Sequence, residues 1–161
     1  MAVNTISAGL GELVVSKKVT DVLVAYGLGS CVGVTVYDPV AKVGAMLHAM
    51  LPLHRNGDAN RTKFVDTGIA TMLEQVERLG AKRSRLICRM AGGAQMLTAP
   101  GFNNVFNIGD QNAEQARKAL KKERVRLRAE ETGGHAGRTV KLHIANGRVT
   151  MRTMGQEEKD L

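Results

Sequence analysis

Aromatic residues are scarce in this 161-residue chain: Phe, Trp and Tyr together make up 3%, with no Trp and two Tyr. Stacking platforms for bases are therefore few. No zinc-finger or RNP-type motif compensates, so a nucleic-acid-binding reading rests on charge alone, and no nucleic-acid partner is expected. Cysteine is also rare. Cys31 and Cys88 could form one bridge, but two thiols without signs of export are better read as reduced. No apolar run is long enough to span a bilayer, and Met1-Ala2-Val3-Asn4 opens no signal-peptide pattern. The expected setting is cytoplasmic, with no membrane insertion.

What the chain does have is positive charge, +8 net with a pI near 9.9. Basic residues cluster at Lys82, Arg83, Arg85 and Arg89, and again from Arg117 through Lys118, Lys121, Lys122, Arg124, Arg126 and Arg128. These are either solvated faces or a surface that attracts an acidic protein, and the sequence leaves both open. The length suits one compact domain, expected over residues 1–154, with the polar stretch 155–161 expected to lack fixed structure.

Residues 6–15 end in Glu12-Leu13-Val14-Val15, a short strand, and Val22 to Ala25 form another. From Arg61 to Leu79 the apolar positions Phe64, Val65, Ile69, Met72, Val76 and Leu79 share one helical stripe, with Asn60 as candidate N-cap and Gly80 as the stop. Arg85 to Ala91 alternate as a strand, which makes Cys88 a core thiol. Residues 98–107 read as a loop, and Asp110 to Lys122 as a second helix. Residues 124–129 alternate as a half-buried strand with a basic outer face, and residues 130–134 read as a turn. Val140 to Ile144 and Val149 to Met151 flank Asn146-Gly147, a hairpin signal. His54, His135 and His143 are isolated and lack metal-ligand spacing. The elements describe a mixed α+β domain.

The most informative stretch runs from Val22 to Pro52. Two apolar runs, Val32 to Tyr37 and Val43 to Leu51, flank Asp38-Pro39-Val40-Ala41, whose Asp and Pro suit a type I turn. Centring the hairpin between Pro39 and Val40 pairs Val36 with Val43, Val34 with Ala45 and Val32 with Leu47, an apolar face. The other face then sets Cys31 opposite His48, within reach of a cross-strand contact. An imidazole beside a thiol can take its proton and sustain a thiolate nucleophile. Gly27, Gly29 and Ser30, just before the thiol, allow a sharp turn that aims backbone N–H groups at a developing oxyanion. A buried structural Cys and a structural His explain the same residues without chemistry.

Gly27-Leu28-Gly29-Ser30-Cys31-Val32, Asp38-Pro39 and Gly44-Ala45-Met46-Leu47-His48-Ala49-Met50-Leu51-Pro52 together resemble the signature of the CheD family of chemoreceptor glutamine deamidases. Further blocks follow in order: Lys63-Phe64-Val65-Asp66, Ala91-Gly92-Gly93-Ala94-Gln95-Met96, Asn107-Ile108-Gly109 with Asn112, and Glu131-Thr132-Gly133-Gly134 with Gly137-Arg138. The resemblance implies a mixed β-sandwich-like core with flanking helices. It also implies a protein-glutamine deamidase of chemotaxis receptors, with Cys31 as nucleophile, His48 as base and no cofactor. A CheC-type phosphatase is an expected partner. Two positions depart from the pattern. The family Thr six residues before the Cys is Ala25 here, and Gln111 stands where the family often has Arg. A backbone carbonyl of residues 24–27 or a nearby side chain is therefore expected to orient His48. The alternative is a catalytically weakened module that acts by docking.

Overall fold

A computed structural model describes residues 2–96 and 107–161 of the chain. The strands are β1 (Asn4–Ser7), β2 (Leu13–Ser16), β3 (Asp21–Leu28), β4 (Val32–Asp38), β5 (Val43–Ala49), β6 (Ile87–Gly92), β7 (Leu127–Thr132), β8 (Arg138–His143), β9 (Val149–Thr153) and β10 (Lys159–Asp160). The helices are α1 (Val65–Arg78) and α2 (Ile108–Lys122). The loop expected over residues 98–107 falls almost wholly outside the described residues.

The strands build two five-stranded mixed sheets, in the orders β1-β3-β8-β9-β10 and β2-β5-β4-β6-β7. One pair in each sheet is parallel, β1 with β3 and β6 with β7. The expected α+β class with a mixed sandwich and flanking helices is what the chain adopts. Val32, Val34, Val36, Ala45 and Leu47 pack with Ile69, Met72, Leu73 and Val76 of α1 and Ala113, Ala116 and Leu120 of α2. The opposite pleat of the same strands, with Tyr37 and Met46, packs against Leu23, Val140, Leu142 and Met151 of the other sheet. β4 is buried along its whole length because it is covered on both faces. Tyr37 fastens the sheets together by donating its hydroxyl proton to the Ile144 carbonyl at 2.8 Å.

The β4–β5 hairpin forms, but not in the expected register. Asp38 faces Val43, Val36 faces Ala45, Val34 faces Leu47 and Gly33 faces His48. A type I turn splays the strands of a two-residue hairpin, and the chain avoids this with a four-residue loop closed by Lys42 at φ +54°. The Lys42 N–H donates to the Asp38 carbonyl at 2.8 Å, and the Asp38 carboxylate accepts from the Val40 and Ala41 N–H groups. The slip is two residues, so every side chain stays on its expected face.

Other differences are local. Residues 6–15 split between β1 in one sheet and β2 in the other, since the turn at Gly11 (φ +75°) redirects the chain. Residues 61–63 form a 3-10 turn and Phe64 is extended, bridging to Leu51, so α1 begins only at Val65. β7 extends through Thr132, into the expected turn, as its parallel pairing with β6 continues to Gly92. The stretch from residue 155 returns as a strand: β10 pairs with β9, and the Leu161 N–H donates to the Val149 carbonyl at 3.0 Å.

The fully buried Asp38 carboxylate also receives the Lys82 N–H at 2.8 Å and the Arg85 guanidinium at 2.8 to 3.0 Å. Burial alone would raise its pKa, but Arg85 and the backbone donors outweigh that and hold the carboxyl well below the usual carboxylate range. A depressed folded pKa contributes stability that is present above the unfolded value and lost as pH falls towards the folded one. Asp38→Asn should therefore cost about 2 kcal/mol at pH 7. The gap to the parent should narrow below pH ~4. Urea unfolding at pH 7 and pH 3 checks this; a gap of constant size would contradict it.

Candidate active site

Cys31 sits between β3 and β4, and its side chain joins the inter-sheet layer with Ala25, Leu28, Met46 and Ala91. His48 lies on β5 two residues after Met46, hence on the same face, and is 2% exposed. The thiol and imidazole are not directly opposite, because the cross-strand partner of His48 is Gly33, two residues after Cys31. A Cβ on Gly33 would meet Leu28 at 2.8 Å and Ala25 at 3.8 Å. The missing side chain lets the two sheets close over the site, and it places the fully buried Ala25 methyl beside it.

The imidazole is oriented from its far side. His48 Nδ1 lies 2.9 Å from the carbonyl oxygen of Ala8. A carbonyl can only accept, so Nδ1 carries the proton and Nε2 is the bare, basic nitrogen. Nε2 is buried and has no hydrogen-bond partner among the described residues. The acceptor comes from the end of β1, outside the residues 24–27 where it was expected. The backbone of His48 is fixed too, its N–H donating to Glu12 O and its carbonyl accepting from Gly11 N, both at 2.9 Å.

Burial pushes the Cys31 thiol up, and the residue's own backbone N–H works against that shift. The preceding turn, with Gly29 and Ser30 partly exposed, is held by its carbonyls: Gly29 O accepts from Ala94 N at 2.8 Å and Cys31 O from Gly93 N at 2.9 Å. Between them, Ser30 O accepts from the side chain of Asn112 on α2 at 2.9 Å. Ala8 and Asn112 are contributors that residue types alone did not reveal. A backbone carbonyl has no sequence signature, and Asn112 entered only as part of a motif.

The remaining candidates lie elsewhere. Cys88 is fully buried on the helix-facing side of β6, away from the inter-sheet layer, and burial pushes its thiol up to about 12. Both thiols are free. His54 caps Asp58 O, His135 contacts Gln95 O, and neither joins Cys31. Among the described residues no three His, Cys, Asp or Glu are grouped to hold a metal, and no helix is long and apolar enough to cross a membrane. Four of the clustered basic residues are paired: Arg83 with Glu77 and Glu123, Arg85 with Asp38, Arg117 with Glu130 and Lys118 with Glu114.

The architecture defines a class, a mixed β-sandwich with helices on one outer face. The hypothetical protein YfiH of Bacillus licheniformis shares it, with a TM-score of 0.50 at 16% identity over 76% of this chain and 51% of that one. The chain thus spans about half the length of that structure. The profile described as CheD chemotactic sensory transduction matches residues 50–153. A protein of Symbiobacterium thermophilum named probable chemoreceptor glutamine deamidase CheD is 46% identical over 158 residues, covering 96% of each chain. Proteins of the same name are 47% identical in Desulforamulus reducens, over 85% of this chain and 84% of the other, and 43% identical in Thermococcus kodakarensis, over 91% of both. The chain belongs to the CheD family.

Proposed function

We propose that this protein deamidates specific glutamines of methyl-accepting chemotaxis receptors to glutamate, with Cys31 as nucleophile and His48 as general base and acid. The observation that carries the reading is the imidazole: its Nδ1 is tied to the Ala8 carbonyl, and its bare, buried Nε2 belongs to a residue on the same face of β5 as Met46, which clusters with Cys31. The free structure has no thiol–imidazole hydrogen bond, which is common before substrate closes a site.

In the reaction, Nε2 takes the Cys31 proton as Sγ attacks the carboxamide carbon of the glutamine side chain. The carbonyl oxygen gains the negative charge and is met by the Cys31 N–H and its neighbours in the Gly29-Ser30 turn. The tetrahedral adduct collapses, His48 gives its proton to the departing nitrogen, and ammonia leaves a thioester. His48 then removes a proton from water, which attacks the thioester, releasing glutamate and restoring the thiol. The sum is glutamine plus water to glutamate plus ammonia, which balances without cofactor or metal.

Ala25, in place of the family Thr, is the feature that favours a weakened module acting by docking. The Ala8 carbonyl supplies the orienting acceptor that a Thr hydroxyl would give, so an active enzyme is the better reading. A CheC-type phosphatase remains a proposed partner, and nucleic acid is not one. A reduced nucleophilic thiol fits a cytoplasmic setting. Incubating the protein with a receptor cytoplasmic fragment and mapping peptides should reveal a gain of about 1 Da at particular glutamines. An unchanged peptide map across a panel of receptors would refute the proposal.

A further inference from the structure

Asn112 is completely buried, and both of its strong contacts are to carbonyl oxygens: Nδ2 donates to Ser30 O at 2.9 Å and to Met50 O at 2.9 Å. Only an amide nitrogen can satisfy two acceptors, so the orientation of the side chain is fixed by its neighbours. Ser30 precedes the nucleophile by one residue, and Met50 follows the base by two. One carboxamide on α2 therefore ties the thiol-bearing turn to the end of the imidazole-bearing strand.

The carbonyls of Gly29, Ser30 and Cys31 each accept from a donor, Ala94 N, Asn112 Nδ2 and Gly93 N in turn. In a trans peptide the N–H points opposite to the C=O. The N–H groups of Ser30, Cys31 and Val32 are consequently directed away from those donors. The middle peptide, between the Ser30 carbonyl and the Cys31 nitrogen, carries the Cys31 N–H. Of the three anchors, the outer two are backbone groups that any sequence supplies. The middle one depends on a single side chain.

Resting on the deamidase reading, we infer that Asn112 is a positioning residue for the reaction: by holding the Ser30 carbonyl it aims the Cys31 N–H at the oxyanion, and by holding Met50 it keeps His48 in register with the thiol. A plainly structural bridge would contribute to stability alone. The two roles separate in the kinetics of folded protein. Asn112→Ala should lower kcat by about a hundredfold with KM nearly unchanged, as for loss of one oxyanion donor. It should also move the pH profile for carbamidomethylation of Cys31 to higher pH, since the N–H that steadies the thiolate is released. Folded Asn112→Ala with parental kcat and a parental alkylation profile would overturn the inference.

If Asn112→Ala fails to fold, Asn112→Asp preserves the shape and removes both donors when ionised. Its kcat relative to the parent should then rise as pH falls and protonation restores one donor. A ratio of one at every pH would overturn the inference as well. Should the parent itself fail to deamidate any receptor fragment, the functional reading falls. The alkylation profile still decides whether Asn112 governs the thiol.

Discussion

Cys31→Ala is expected to abolish receptor deamidation, a fall of at least ~10⁴-fold in kcat, because the proposed thioester forms on the Cys31 sulfur. The fold should survive. The thiol occupies the edge of the inter-sheet layer at 9% exposure, and truncation to a methyl leaves a small void costing about 1 kcal/mol. Cys88→Ala provides the contrast. That thiol is fully buried among the apolar residues under α1 and α2, held protonated by burial, and separated from the site by the sheet. Its removal should cost stability of about 1 to 2 kcal/mol and leave turnover intact. Peptide mapping of a receptor fragment, run beside thermal melts of both variants, gives the answer. Deamidation persisting in Cys31→Ala, or lost in folded Cys88→Ala, would mean that the wrong thiol has been assigned.

The candidate pair was legible because chemistry concentrates in few residue types: with two cysteines and four histidines, a Gly-Ser-Cys turn and a His on the neighbouring strand stand out. Their shared face was legible too, since strand periodicity is fixed at two and the slip of the hairpin was even. The register itself was not. It depended on Lys42 adopting a left-handed conformation, which its residue type gives no reason to expect. The group that orients His48 was beyond reach for a different reason. The Ala8 carbonyl is set by parallel pairing of β1 with β3, a contact between residues that carry no distinctive side chains. Likewise, the tail from residue 155 is polar and offers no apolar pattern, yet the open edge of β9 accepts it as a strand.

Gly92→Ala should be the most damaging substitution outside the pair itself. Gly92 has φ +110°, a conformation that costs an L-residue roughly 1–3 kcal/mol. Strain is the smaller part. A Cβ built on Gly92 would stand 2.3 Å from the Cys31 carbonyl oxygen and 3.2 Å from the Val32 Cα, both backbone atoms of the nucleophile segment. Neither can rotate aside, so β6 and the Cys31 turn must separate. That would disturb the Gly93 N–H bond to Cys31 O and the Gly92 carbonyl that receives Arg138 Nη1 and the Gly133 N–H at 3.1 Å. Displacing the nucleophile by about 1 Å is enough to cost ~10²-fold in rate. Gly80→Ala isolates the strain, because Gly80 has φ +104° and a Cβ there meets nothing within 4 Å. Both variants should lose stability in urea titrations, Gly92→Ala by more than about 3 kcal/mol. Deamidation measured on folded protein should fall at least ~10²-fold in Gly92→Ala alone, and parental turnover there would show that the Cys31 turn is not held by this contact.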